Sequence, residues 1–298
     1  MLRSLFVVLV ASLPWLPAQD SAPEVKKPRV HVIGASVSGG FRDGPMTHAK
    51  EQGDSLSLQE LLRKWTGEHA RATTHATMEM VMMFTSPTTI GQAQIDGALR
   101  AKADVVVAID FPFWFAYGHV GEDEAKERAE LLRSGCEMLG KLGMPVLIGD
   151  LPDMQGAARR MLSPKQIPSP ELLKALNEQL AAFVKEHPNV HIVPLAALVR
   201  TMKEDGATLD LASGPLKTPP GALLQGDKLH ATRLGMAFLG WSIQDALRAA
   251  MPEGNPLRDQ KWTFEQFVEA AGAEEELDVL KDAKAAPKQE EGAGAKGG

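Results

Sequence analysis

Short apolar runs recur along this chain, each followed by a longer stretch of helical periodicity, and that alternation limits the fold more than any other property of the sequence. Arg29 to Ile33, Asp104 to Ile109, Met144 to Gly149 and Val190 to Pro194 are runs of strand length, rich in valine and isoleucine. Runs with no polar face suit strands buried on both sides of a parallel sheet. Parallel neighbours need crossovers, usually helical, and the intervening segments supply them. Ser57 to Thr66 sets Leu58, Leu61, Leu62 and Trp65 at helical spacing, and Gln92 to Lys102, Glu122 to Leu142 and Glu171 to Lys185 also read as helices. Thr232 to Ala249 closes the body, with Leu234, Phe238, Trp241 and Ala246 toward the core. A further strand is expected within His69 to Met83, where Met78 to Met83 reads equally well as a buried helical turn. The pattern predicts an α/β fold, a three-layer α/β/α sandwich around a mostly parallel five-stranded sheet.

The ends read differently from the body. Arg3 supplies a positive charge, Leu5 to Leu13 an apolar core, and Pro17-Ala18-Gln19 a processing point, so residues 1–19 are expected to be a secretory signal peptide. Its apolar run stops at Pro14, well short of the ~20 residues that span a bilayer, and no stable membrane span is expected. Residues 20–28 read as a linker, 29–252 as the α/β domain, 253–281 as a C-terminal helical extension and 282–298 as a low-complexity tail unable to order itself. Within the extension, Trp262 to Leu280 has the pattern of an acidic amphipathic helix packed on the outside. A single cysteine, Cys136, excludes a disulfide framework. With a formal charge of −6 and no basic cluster, the sequence has no electrostatic footprint for nucleic acid.

Two segments carry chemistry. Gly34-Ala35-Ser36-Val37-Ser38-Gly39 directly follows the first strand, and Asp227-Lys228-Leu229-His230 precedes the last helix of the body. Both positions fall where sites in open α/β sheets collect, beyond the carboxyl ends of the strands. A serine hydroxyl becomes nucleophilic when an imidazole takes its proton and a carboxylate orients that imidazole; Ser36, His230 and Asp227 could fill these roles. Ser38 is the local competitor. Taken singly, the first segment could be a turn whose serines cap a helix, and the second a loop histidine beside a capping aspartate.

Together the two segments resemble the G-D-S-L and D-x-x-H-P-x-x-x-G blocks of the SGNH/GDSL hydrolases, the second block running from Asp227 to Gly235. The resemblance covers about Arg29 to Met251 in element order. It implies a flavodoxin-like sandwich with Ser36 as nucleophile, His230 as base and Asp227 as its acid, cleaving esters without a cofactor or metal. Small-molecule or carbohydrate esters are the expected substrates, for a protein exported to the periplasm or beyond. Ala35 stands where the family has Asp. The middle blocks, a glycine amide and an asparagine side chain that complete the oxyanion hole, are replaced by Thr85-Ser86-Pro87-Thr88-Thr89 and by Asp110-Phe111-Pro112-Phe113-Trp114-Phe115.

Losing one oxyanion donor costs about 10²–10³ in rate, so either a weaker enzyme or substitute donors are expected, from Ser86, Thr88 or a backbone amide near Gly39. Asp110 is the difficult residue: a carboxylate beside a forming oxyanion repels it unless it points away, stays protonated or binds a substrate hydroxyl, and it could equally cap the next turn. Trp114, if exposed, could stack on a sugar or acyl chain. Two rival readings remain: a binding module on the same fold, and a metal-dependent phosphoesterase built from His48, Asp110, Asp150, Asp153, Asp227 and His230. Specificity is expected to reside in the loops Phe41 to Ser55 and Phe111 to Gly121.

Overall fold

The computed structural model describes residues 27–42, 55–77 and 80–285. In chain order these form β1 (Arg29–Val32), α1 (Ser36–Gly39), β2 (Phe41–Arg42), β3 (Ser55–Leu56), α2 (Leu58–Thr66), β4 (Arg71–Thr74), α3 (Met80–Thr85), α4 (Pro87–Arg100) and β5 (Val105–Ala108). Then follow α5 (Phe111–Ala116), α6 (Glu124–Gly140), β6 (Val146–Gly149), α7 (Pro170–Glu186), β7 (Val190–Val193), α8 (Leu195–Arg200), β8 (Thr208–Leu211), β9 (Gly214–Lys217), α9 (Arg233–Ala250), α10 (Phe264–Ala271) and α11 (Glu274–Ala285). Five strands make one parallel sheet in the order β4-β1-β5-β6-β7, with β2/β3 and β8/β9 as separate antiparallel pairs.

Val105, Val106, Val107 and Ala108 are all buried, as are the four residues of β6, which is why these central strands lack a polar face. Helices α2, α9 and α10 pack against one another, and α4, α5, α6 and α7 form a second packed set, giving three layers. Capping starts several of these helices where the sequence places a small polar residue. Ser57 Oγ accepts from the Glu60 N–H, Ser169 Oγ from Leu172 and Thr232 Oγ1 from Gly235.

The alternation holds, with several local corrections. Helix α4 begins at Pro87, not at Gln92, because a proline at the first helical position lacks only an N–H that the helix would leave unpaired. The segment after β5, expected as part of a specificity loop, is the helix α5, buried over its whole length. Its C-terminal end is fixed by the fully buried Arg128, which pairs with Glu124 and donates to the carbonyls of Ala116 (2.8 Å) and Lys165 (2.9 Å).

Met80–Thr85 is helical, and the strand before it is confined to Arg71–Thr74. The single helix expected over Trp262 to Leu280 is two, since Gly272 caps the first, and its Phe264 and Phe267 lie in the main core, not on the outside. Trp241 and Ala246 are half-buried against that core. The segment expected as a signal peptide, most of the expected linker, the greater part of the tail, His48 and most of the loop Phe41 to Ser55 lie outside the described residues. Among the described residues no helix is long and apolar enough to cross a membrane.

Candidate active site

In order of appearance the sheet reads 2-1-3-4-5, so the order reverses between β1 and β5, and a crevice opens beyond their carboxyl ends. Ser36 and Asp110 are the residues delivered there. Ser36 opens α1 directly after β1, and Asp110 stands between β5 and α5. The turn between them is tightly held. Gln94 of α4, almost fully buried, reads both polar groups of Gly34, accepting from its N–H at 3.0 Å and donating to its carbonyl at 2.7 Å. Gly34 has φ +132°, and a Cβ there would lie 1.9 Å from Asp110 Oδ1, so both its conformation and the carboxylate's approach require glycine.

Asp110 does not cap its own helix; its side chain crosses to the serine turn. Oδ2 accepts from the N–H groups of Ala35 (3.2 Å) and Val37 (3.1 Å), with Ser38 N–H at 3.5 Å, while Ser38 Oγ donates to Oδ1 at 2.6 Å. Burial pushes this carboxyl above the ordinary range, against the opposing pull of those donors. The Trp114 indole N–H faces the same carboxyl but misses hydrogen-bond geometry and has no partner. Ser38 is thus committed to Asp110, which leaves Ser36 as the serine facing the cavity described below.

The histidine arrives on a different kind of support. Asp227 Oδ1 accepts from the N–H groups of Leu229 (2.9 Å) and His230 (3.0 Å), and Oδ2 meets His230 Nδ1 at 2.7 Å. One carboxylate therefore builds the turn and orients the ring, and the proton on Nδ1 leaves Nε2 as the acceptor. Burial alone would raise the Asp227 carboxyl; hydrogen bonds from the His230 ring and from the two backbone N–H groups outweigh it and hold the group below its usual value. Lys228 takes φ +58° inside this turn. The loop is tied at both sides: Gln225 N–H donates to the His230 carbonyl, Gln225 Nε2 to the Ala231 carbonyl and Thr232 N–H to the Leu223 carbonyl. Gly235 allows this close packing, because a Cβ there would lie 2.1 Å from the Leu223 carbonyl oxygen.

His230 is 3% exposed, its Nε2 is buried without a hydrogen-bond partner, and its ring lies 4.5 Å from that of Phe41, just past the serine turn. Ser36, Leu229 and Ala231 line one cavity, so the serine turn and the loop that carries His230 meet at the same wall. Asp227 and His230 are hydrogen-bonded, and no hydrogen bond joins Ser36 to His230 Nε2. Contacts of this kind often tighten only around substrate.

The expected oxyanion donors are placed less favourably. Gly39 N–H donates to the Ala35 carbonyl within the turn and is not available. Ser86 and Thr88 belong to the start of α4, Thr88 exposed, and neither lines the cavity. Trp114 does line it but is 1% exposed, so it forms wall rather than an open stacking platform. The proposed metal cluster is not assembled. Asp150 accepts from the Ala196 N–H and, with Asp153, lines a separate groove; among the described residues no three His, Cys, Asp or Glu side chains converge. Gln94 went unread in the sequence, since a lone glutamine on a helix carries no motif.

No family model matches the chain, and no curated protein matches it in sequence. Solved structures do resemble it. TesA is 13% identical with a TM-score of 0.43, covering 75% of this chain and 99% of its own. A protein of Bacteroides fragilis described as a candidate acylhydrolase is 15% identical with a TM-score of 0.43, over 80% of this chain and 99% of that one. BT4096, described as a gut microbial diltiazem-metabolizing enzyme, is 10% identical with a TM-score of 0.45, and the match spans 73% of this chain and 46% of that one.

Proposed function

We propose that this protein is an exported hydrolase of carboxylic esters, acyl groups on carbohydrate among them, in which Ser36 attacks the carbonyl, His230 takes and returns the proton, and Asp227 holds the ring. The observation that carries this reading is the His230 ring: Nδ1 is bound to Asp227, Nε2 is buried and unpaired, and the residues on either side of it, Leu229 and Ala231, line the cavity that Ser36 lines. An unsatisfied buried acceptor is costly, and a serine proton is what it is shaped to receive. The acyl-enzyme formed on Ser36 is then hydrolysed by water, with His230 acting as base a second time. Export rests on the leader formed by Arg3 and the apolar run Leu5 to Leu13.

A serine-directed fluorophosphonate tests the reading. It is expected to label the full chain at Ser36 and to leave the Ser36→Ala protein unlabelled. No label and no ester turnover from a folded protein would sink it. One observation favours a second reading, a binding module. Asp110 holds the amides of Ala35 and Val37, which an oxyanion would otherwise use. Folded protein that ignores the phosphonate yet is retained on immobilised glycans would establish that alternative.

A further inference from the structure

Two hydrogen-bond donors beside Ser36 have no partner among the described residues. The serine turn commits most of its N–H groups: Gly34 donates to Gln94, Ala35, Val37 and Ser38 to Asp110, and Gly39 to the Ala35 carbonyl. Only the Ser36 N–H is left over. The second donor is the Trp114 indole N–H, buried and unpaired in a side chain that lines the same cavity as Ser36. A buried donor without an acceptor is unfavourable, and beside a reactive serine an oxyanion formed only during reaction can be that acceptor. Local structure aims the indole. Trp114 follows Asp110 by four residues at the start of α5, a spacing that sets both side chains on one face, and helical side chains lean toward the N-terminus, which carries the ring back over Asp110. Phe84 and Phe113 hold it there, their ring centroids 4.6 Å and 5.2 Å away. The indole N–H faces the Asp110 carboxyl, and that carboxyl rests on the N–H groups either side of Ser36, so the two free donors are brought to one corner of the cavity.

We infer that Trp114 is a catalytic residue: its indole N–H, together with the Ser36 N–H, receives the oxyanion of the tetrahedral intermediate, a task for which this chain has no asparagine side chain. The inference rests on the Ser36 reading and goes beyond it by naming what stabilises the transition state. As Ser36 Oγ bonds to the carbonyl carbon, its proton passes to His230 Nε2 and the C=O electron pair moves onto oxygen, between the two N–H groups. When that pair returns, the bond to the leaving oxygen breaks, and this oxygen takes the proton from His230. Burial favours the neutral form of Asp110, which neither repels the oxyanion nor competes strongly for the indole.

The experiment replaces Trp114 of the full chain with benzothienylalanine, which keeps the bicyclic ring and puts sulfur where the N–H was, and separately with phenylalanine. With p-nitrophenyl acetate, the benzothienyl protein is expected to lose about 10²–10³-fold in kcat with KM little changed, and fluorophosphonate labelling at Ser36 is expected to slow with it, at an unchanged Tm. A second readout does not depend on turnover. In protein carrying ¹⁵N-tryptophan, the phosphonate adduct sets a P–O oxygen where the oxyanion would lie and is expected to move one indole N–H resonance downfield, the resonance that Trp114→Phe removes. Undiminished kcat in the folded benzothienyl protein, or indole resonances that stay in place on labelling, overturns the inference and leaves the Ser36 reading intact. A lowered Tm with kcat unchanged does the same, because the N–H then serves Asp110 alone. Unsubstituted protein that neither hydrolyses esters nor takes the label removes both readings together.

Discussion

The two halves of the candidate site are built on opposite plans. At His230, Asp227 points into its own turn, and each of its oxygens serves His230 directly. At Ser36, the carboxylate comes from another part of the chain: Asp110 reaches across from beyond the end of β5 and is itself served by the serine turn, through Ala35, Val37 and Ser38. The histidine side is thus arranged around the ring that its carboxylate orients, whereas the serine side is arranged around a buried carboxyl that its own N–H groups and Ser38 hydroxyl serve. What separates them is the sign of the local charge balance. Hydrogen bonds win over burial at Asp227, and burial wins over hydrogen bonds at Asp110.

The hardest break falls on the proposed triad. Ser36→Ala and His230→Ala are each expected to lower ester turnover by at least about 10³-fold, and the double variant no further than the worse single one, because the groups act as a unit. Initial rates of all three against one ester suffice. Losses that multiply would mean that the two residues belong to separate sites, although Ser36 and the neighbours of His230 line one cavity.

Next in size are the two glycines that let each half close. Gly34→Ala drives a methyl into Asp110 Oδ1 at an unfavourable φ, and Gly235→Ala drives one into the Leu223 carbonyl. Each is expected to cost about 3 kcal/mol, read from urea midpoints. The two should differ in which half suffers. Gly34→Ala moves the serine turn and should weaken phosphonate labelling in the protein that remains folded. Gly235→Ala moves the loop that carries His230 and should slow turnover; equal effects on both readouts would mean that the halves are mechanically one.

How much of this was readable follows from the same contrast. The base half is local: Asp227 and His230 are three residues apart in one turn, so the sequence alone brings carboxylate and ring together. Strands β5 and β6 are legible because burial on both faces leaves a continuous apolar run. By contrast, Phe111–Ala116 is a helix with no polar face, and periodicity has nothing to grip in a segment that is buried all round. Pro87 looks like loop punctuation until its place at the first position of α4 is known. Asp110 and Gln94 act on Gly34 to Ser38 across strands and layers, and only the fold puts them there.

A moderate effect is expected from Asp110→Asn. The amide oxygen can still accept from Ala35 and Val37, and its NH₂ can donate to Ser38 Oγ, so the turn survives while the charge does not. If that charge opposes the oxyanion, kcat rises by about ten-fold with KM little changed. A fall instead makes the carboxyl a contributor to the chemistry, and the two halves would then share the proton work.

The smallest effect is the one that isolates the charge balance itself, the pH dependence of stability. Asp227 is more acidic folded than unfolded, so its contribution is fully present above the ordinary carboxylate value of about 4 and is lost as pH falls through its lower folded value. Asp110 is less acidic folded than unfolded, so the folded state binds the extra proton. Its contribution is complete below about pH 4 and declines as pH rises through its higher folded value. Urea midpoints measured across this range should therefore lose their acid-side slope in Asp227→Asn and their alkaline-side decline in Asp110→Asn. If Asp110→Asn leaves the profile unchanged, the carboxylate is already ionised among its four donors. The serine turn would then be a permanently occupied anion site, and the contrast between the halves would become one of occupancy instead of charge.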